Sequence, residues 1–122
     1  MILASIVIVD DDIDIVNLFE HFLSIRGHSI LGKAFDGEEA ISVVMNLQEK
    51  PDIILMDHRM PHVSGLEATE LIKESFPDIK VVLISADMKV EQQAKDNGAS
   101  AFLLKPTSFK KVLSTIKELI EN

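Results

Sequence analysis

Ile53-Ile54-Leu55-Met56-Asp57, followed by His58-Arg59-Met60-Pro61-His62-Val63-Ser64-Gly65, is the stretch that decides how this chain is read. A run of apolar residues that ends in a carboxylate, then proline, then glycine, presents that carboxylate at the rim of a sheet. Three further runs end in polar groups in the same way. Asp10 and Asp11 follow Ile6-Val7-Ile8-Val9, Ser85 follows Val81-Val82-Leu83-Ile84, and Lys105 follows Ala101-Phe102-Leu103-Leu104. If these runs are parallel strands, their ends meet at one place.

Working outward, strand-like and helix-like patterns alternate. Ser5 to Val9 is a continuous β-branched run, the pattern of a strand covered on both faces. Asp12 is placed to cap a helix carrying Ile15, Val16, Phe19, Phe22 and Leu23 at helical spacing, which Gly27 stops. A weaker strand, Ser29 to Phe35, contains Gly32 and Lys33 and leads to an Asp36-Gly37 turn. Ala40, Ile41, Val44 and Leu47 mark a second helix, ended before Pro51. After the strand Asp52 to Met56 comes a helix with Ala68, Leu71 and Ile72 turned inward and Phe76-Pro77 at its end. Ile79 to Ile84 is the fourth strand. Residues 88 to 97 read as a helix whose apolar stripe is only Val90 and Ala94. The last helix, after the short strand Ala101 to Leu104, has the cleanest stripe: Phe109, Val112, Leu113, Ile116, Leu119 and Ile120.

Five βα units predict a parallel sheet covered on both faces, with right-handed crossovers. The most uniformly apolar runs, the first, third and fourth, belong in the middle. The second carries Gly and Lys and the fifth is very short, so both suit edges. The expected architecture is therefore α/β, a flavodoxin-like three-layer sandwich with sheet order 2-1-3-4-5. With 122 residues, 47% hydrophobic and 26% charged, the chain suffices for one domain, expected to span residues 1–122.

The formal net charge is −8, which argues against direct binding to nucleic acid and suits a protein that engages a cation or a basic partner. There is no cysteine, so disulfides, thiolate metal sites and cysteine nucleophiles are excluded. No apolar run approaches a membrane span, and Met1-Ile2-Leu3-Ala4 lacks the basic region and long apolar core of a signal peptide. The expectation is a cytoplasmic protein without membrane contact.

In such a sheet ligands bind outside the carboxyl ends of the strands, at the switch between the first and third. Those strands end in Asp10-Asp11 and Asp57. Carboxylates gathered there repel: two unit charges ~4 Å apart cost about 4 kcal/mol at an effective dielectric near 20. A divalent cation with hard oxygen ligands offsets this, and few protein ligands with open positions suit Mg²⁺. Lys105 adds a fixed positive charge. A carboxylate beside both cations can attack phosphorus, because they neutralise charge on the transferring oxygens, and Ser85 can hydrogen-bond one of those oxygens. Taken singly, each residue has a plainer role: a cap, a turn, an exposed lysine. The four types on four appropriate strands carry the argument. His58 and His62 are four apart, but Pro61 between them prevents a shared helix face, so a metal pair is not expected. His21 reads as structural or exposed, and the methionines as core packing.

The ordered set Ile6-Val7-Ile8-Val9-Asp10-Asp11-Asp12, then Asp57-His58-Arg59-Met60-Pro61-His62-Val63-Ser64-Gly65, Ile84-Ser85-Ala86, Gly98-Ala99 and Leu104-Lys105-Pro106 resembles a response-regulator receiver domain of two-component signalling. The resemblance covers the whole chain. It implies that Asp57 is the phosphoacceptor, taking its phosphoryl group from a histidine kinase or phosphotransfer protein. It also implies that Asp10, Asp11, Asp57 and the backbone carbonyl of Arg59 hold Mg²⁺, and that Lys105 and Ser85 bind the phosphoryl group. Ser85 and Phe102 would form a switch pair acting on the surface of the fourth helix, fifth strand and fifth helix, and the Lys105-Pro106 peptide would be cis. Phe102 stands where this family often has Tyr, so a phenolic hydroxyl plays no part. Arg59, two residues after the acceptor, is a variable position in such domains, suited to tuning phosphate lifetime. Such a domain is not an enzyme toward other substrates; it catalyses only its own phosphorylation and dephosphorylation.

Two rival readings are a Mg²⁺-dependent phosphatase of the haloacid-dehalogenase type, which would use Asp10, Asp12, Ser85 and Lys105, and a non-phosphorylated protein-binding module of the same fold. The first leaves Asp57 to Gly65 unexplained and lacks an acidic pair after the lysine. No effector-like segment follows Asn122, which fits either a stand-alone protein or part of a longer chain, with a downstream protein target or effector domain unspecified and a homodimer compatible with either.

Overall fold

The computed structural model describes residues 3–121; residues 1, 2 and 122 of the expected single domain lie outside the described residues. Five strands alternate with helices: β1 (Ser5–Val9), α1 (Ile13–Ile25), β2 (Ser29–Ala34), α2 (Gly37–Asn46), β3 (Ile53–Asp57), α3 (Gly65–Ser75), β4 (Lys80–Ser85), α4 (Glu91–Asp96), β5 (Ala101–Leu104) and α5 (Phe109–Glu121). The strands form one parallel sheet in the order β2-β1-β3-β4-β5. The flavodoxin-like α/β architecture expected from the sequence is the one observed.

The order follows from which runs can lie between two layers. β1 and β3 are buried at every residue, and β4 at all but its first. Alternate side chains feed two separate cores. Val7, Val9, Ile54, Met56, Val81 and Leu83 point to one face, where Val44 of α2, Ile72 of α3 and Ala94 of α4 cover them. Ile6, Ile8, Ile53, Leu55, Val82 and Ile84 point to the other, beneath Val16 and Leu23 of α1 and Val112 and Ile116 of α5. Complete burial of such side chains contributes about 1.5–3 kcal/mol each, and a one-residue slip would exchange the two faces. Within the second layer Phe109 of α5 stacks on Phe22 of α1 with ring centroids 4.1 Å apart.

Several details differ from the sequence reading: β3 and β4 each sit one residue later than expected, at Ile53–Asp57 and Lys80–Ser85, and Met45 and Met88 are exposed rather than core packing. β2 ends at Ala34 rather than Phe35, because Asp36 already caps α2, its side chain accepting from the Glu39 amide. Leu71 is not turned inward but 47% exposed; its place beside Ala68 and Ile72 is taken by Thr69, whose hydroxyl donates to the Gly65 carbonyl at 2.7 Å. The helix expected over 88–97 is a 3₁₀ turn, Met88–Val90, followed by only six α-helical residues. Asp87 caps the 3₁₀ turn through the Lys89 amide, whereas α4 begins at Val90 without any side-chain cap. With Ala94 as its one buried residue, and Val90 the one buried residue of the preceding turn, α4 has little to hold a longer helix. No helix among the described residues is long and apolar enough to cross a membrane.

Candidate functional site

The carboxyl ends of β1, β3, β4 and β5 supply the polar residues of one cleft. The backbone ladder continues one residue past each strand: the amide of Asp10 donates to the Ala34 carbonyl, that of His58 to Ile84, and that of Lys105 to Ser85. These bonds fix where the chain leaves the sheet, and so where the side chains at positions 10, 57 and 105 begin. Asp10 and Asp57 are buried, at 7% and 5% exposure. Asp11 is exposed at the rim.

Carboxylate oxygens of Asp10, Asp11 and Asp57 lie within 4.8 Å of one another. The Lys105 ammonium is 2.7 Å from Asp57 Oδ1 and 3.9 Å from Asp10 Oδ2. Asp11, Asp57, Arg59, Ser85, Ala86 and Lys105 line a cleft of about 230 Å³. Ser85 Oγ accepts the Asp87 amide at 3.0 Å, which ties the base of the cleft to the turn before α4 and leaves the hydroxyl hydrogen free to be donated. The Lys105-Pro106 peptide is cis.

The electrostatics reflect crowding. Burial, reinforced by the charges of Asp57 and Asp11, pushes the Asp10 carboxyl up to about 6, against the lowering effects of the Asp12 amide bond and Lys105. Burial likewise raises Asp57, against the hydrogen bond and charge of Lys105. For Lys105 burial acts to lower the pKa, but the hydrogen bond and charge of Asp57, with Asp10 and Asp11, outweigh it, and the net shift is upward. One ammonium group thus faces three carboxylates and does not balance them. Hard oxygen donors, grouped closely, partly open to solvent and in excess of the local positive charge, are a donor set that fits Mg²⁺.

The loop between β3 and α3 is clamped. The Gly65 amide donates to the His58 carbonyl at 2.8 Å, and a Cβ at Gly65 would lie 2.8 Å from His58 Cα and closer still to the Asp57 carbonyl oxygen, so the chain passes there only without a side chain. Ser64 and Glu67 form a capping box at the start of α3. The Ser-x-x-Glu spacing announces this box in the sequence.

Not every residue singled out in the sequence lies in the cleft. Phe102 is partly buried against the core beneath α2, α3 and α4, paired with Leu83 across β4 and β5. Asp12 caps α1, its side chain accepting from the amides of Asp14 and Ile15. The carboxylates that converge are those of Asp10, Asp11 and Asp57, so the Asp10/Asp12 pair that the phosphatase reading needs is not the one formed. His62 is exposed and His21 is exposed on α1. The reading of spacing missed His58 Nδ1, which is buried without a hydrogen-bond partner, and the Asp87 contact with Ser85. Neither has a sequence signal.

Comparison with known proteins agrees with this geometry. The sequence profile described as "Response regulator receiver domain" matches residues 6–117. The chain is 33% identical over 116 residues to the response regulator protein VraR of Staphylococcus saprophyticus, covering 92% of this chain and 54% of that protein. It is 35% identical over 114 residues to the transcriptional regulatory protein LnrK of Bacillus subtilis, covering 90% and 51%. The chain thus spans about half the length of the curated relatives it matches. Among solved structures, the CheX-CheY-BeF3-Mg²⁺ complex from Borrelia burgdorferi contains a chain that superimposes with a TM-score of 0.88 at 29% identity, covering 94% of this chain and 87% of that one. With its sheet order, its acidic cleft and a profile match over nearly its whole length, the chain belongs to the response-regulator receiver domain family of two-component systems.

Proposed function

We propose that this domain receives a phosphoryl group on Asp57 from the phosphohistidine of a histidine kinase or phosphotransfer protein, in a Mg²⁺-dependent reaction. The observation that carries the reading is the convergence of the Asp10, Asp11 and Asp57 carboxylates within 4.8 Å, with the Lys105 ammonium 2.7 Å from Asp57 Oδ1. Mg²⁺ fits the oxygens of Asp10, Asp11 and Asp57 and the Arg59 backbone carbonyl, and when bound it would neutralise charge on the phosphoryl oxygens.

The residues of the chain do the rest. An Asp57 carboxylate oxygen forms the new bond to phosphorus as the phosphorus–nitrogen bond of the donor breaks, and the departing imidazole takes the electron pair. Lys105, its proton held by three neighbouring carboxylates, orients Asp57 beforehand and meets a phosphoryl oxygen afterwards. Ser85 donates its free hydroxyl hydrogen to a second oxygen. Its own oxygen already accepts the Asp87 amide, so any movement of Ser85 toward the phosphoryl group is passed to Asp87 and the 3₁₀ turn that Asp87 caps. Phe102, partly buried on the adjacent strand, is the second member of the switch, and the surface of α4, β5 and α5 is its output. The short, uncapped α4 suits that role, since mobile elements come from the weakly held end of a structure.

The domain therefore acts as a cytoplasmic signalling module, with no substrate turned over other than its own acyl phosphate. Its reader is a protein target or an effector domain, as in regulators about twice this length, and a second copy is a further candidate. The test is incubation with Mg²⁺ and acetyl phosphate, followed by mass spectrometry of proteolytic fragments. The proposal expects one phosphoryl group, on Asp57 and dependent on Mg²⁺. Label on Asp10 would instead support phosphatase chemistry, and no label would leave a bare protein-binding module.

A further inference from the structure

The acidic cleft is flanked by a contact that lies outside it. Gly37, the first residue of α2, faces Val63 in the loop between β3 and α3. A Cβ at position 37 would lie 2.9 Å from both the carbonyl carbon and the Cβ of Val63, and nearer still to the carbonyl oxygen. These are mainly backbone atoms, which cannot swing aside as the end of a side chain can. Gly37 is at a helix start with ordinary backbone angles, so what it supplies is space. The approach is held from both sides. Asp36 and Glu39 cap the start of α2, Glu39 Oε1 accepting the Phe35 amide and Asp36 Oδ1 accepting the Glu39 amide. Across from them Val63 packs against the core beneath α2 and α3.

The loop clearly needs holding. His62, the residue before Val63, has φ +66°, a left-handed conformation that a non-glycine residue keeps only where its surroundings over-determine it. Gly65 clamps the foot of the loop against Asp57 and His58, and Gly37 is the stop on its flank. Between the two lies Arg59, which lines the cleft.

We infer that Gly37 is a positioning residue for the cleft: by admitting the Val63 backbone against the first turn of α2, it fixes the loop that carries Arg59 to the cation. This rests on the reading of the cleft as a Mg²⁺ and phosphoryl site, and adds a residue twenty positions earlier in the chain, on a different element. Loss of a supporting contact outside the ligand set typically lowers metal affinity about 10- to 100-fold.

The experiment compares Gly37→Ala with Gly32→Ala. The second is a matched control, since a Cβ at Gly32 would sit 2.8 Å from Val43 Cγ1, beneath the same helix but against a side chain and away from the loop. Amide NMR spectra of the metal-free proteins and Mg²⁺ titration by calorimetry are read alongside urea unfolding. The expected result is that Gly37→Ala shifts the amides of residues 58–64 and weakens Mg²⁺ binding about 10- to 100-fold. Gly32→Ala should lose stability with Mg²⁺ affinity unchanged. Unmoved loop amides and wild-type affinity in Gly37→Ala would overturn the inference. Absence of Mg²⁺ binding by the wild-type protein would overturn the reading of the cleft, while the loop amides still decide the role of Gly37. Should Gly37→Ala fail to fold, the wild-type titration decides: added Mg²⁺ should shift the Gly37 and Glu38 amides together with Arg59, and a response confined to the cleft would refute the coupling.

Discussion

The two ends of the parallel sheet handle polar groups in opposite ways. At the amino end they are paired. The Ser5 amide donates to Asp52 Oδ2 at 2.9 Å while the Asp52 amide donates back to Ser5 Oγ at 3.0 Å, locking the starts of β1 and β3 together. His28 Nδ1 accepts the Ala4 amide at 3.0 Å. Lys50 covers the carbonyls of Val44, Met45 and Leu47 at the end of α2, and Lys73 those of Pro77 and Ile79 before β4. At the carboxyl end two buried carboxylates have raised pKa values, His58 Nδ1 has no partner and His62 is left-handed. Both ends are framed by the same strands, so the difference lies in the side chains. One end contributes stability; the other keeps charge uncompensated so that a cation and a phosphoryl group have something to gain there.

The largest effect that would sharpen this contrast is at Asp57. Asp57→Asn should reduce phosphoryl incorporation from acetyl phosphate to background with the fold intact, read by mass spectrometry and circular dichroism; label persisting elsewhere in the cleft would assign the acceptor wrongly. The converse belongs to the amino end. Asp52→Ala strips the Ser5 amide of its partner and should cost about 1–3 kcal/mol in urea unfolding, with the labelling rate per folded molecule unchanged. A loss of labelling there would break the division between the two ends.

A third test uses pH. Cation binding needs an ionised Asp10, whose carboxyl is pushed up to about 6. Calorimetric Mg²⁺ affinity should be level above that pH and fall about tenfold for each unit below it, as the proton competes with the metal. The smallest effect concerns His28, which burial pushes below its ordinary 6.5. The folded state then binds fewer protons than the unfolded one between that lowered value and 6.5. Its contribution to stability is complete above 6.5 and is lost as the pH falls through that window. His28→Gln should flatten this part of the stability–pH curve, and an unchanged curve would remove His28 from the amino-end network.

How much of this was legible in the sequence follows from the range of each interaction. The strands and their order could be read because Ile6 to Val9, Ile53 to Met56 and Val81 to Ile84 are continuous apolar runs, a local signal of burial on both faces. Asp10, Asp11, Asp57 and Lys105 could be grouped because parallel strands bring their carboxyl ends to one edge. Leu71 was misread because an apolar residue beside the true stripe has the same local signature as one in it. The length of α4 differs from expectation because Asp87 caps a 3₁₀ turn and α4 itself has no side-chain cap, neither of which periodicity reports. The Ser5–Asp52 pair spans 47 residues, and the Gly37–Val63 approach depends on backbone proximity between loops; neither leaves a pattern in composition or spacing.

The most direct test is the urea midpoint of the wild type and Asp57→Asn at neutral pH, each with and without Mg²⁺. Negative charge held in excess at the carboxyl end predicts that Asp57→Asn is the more stable protein without metal, and that Mg²⁺ raises the wild-type midpoint by far the greater amount. An Asp57→Asn protein less stable than wild type in the absence of metal, or an equal response of both to Mg²⁺, would contradict the account.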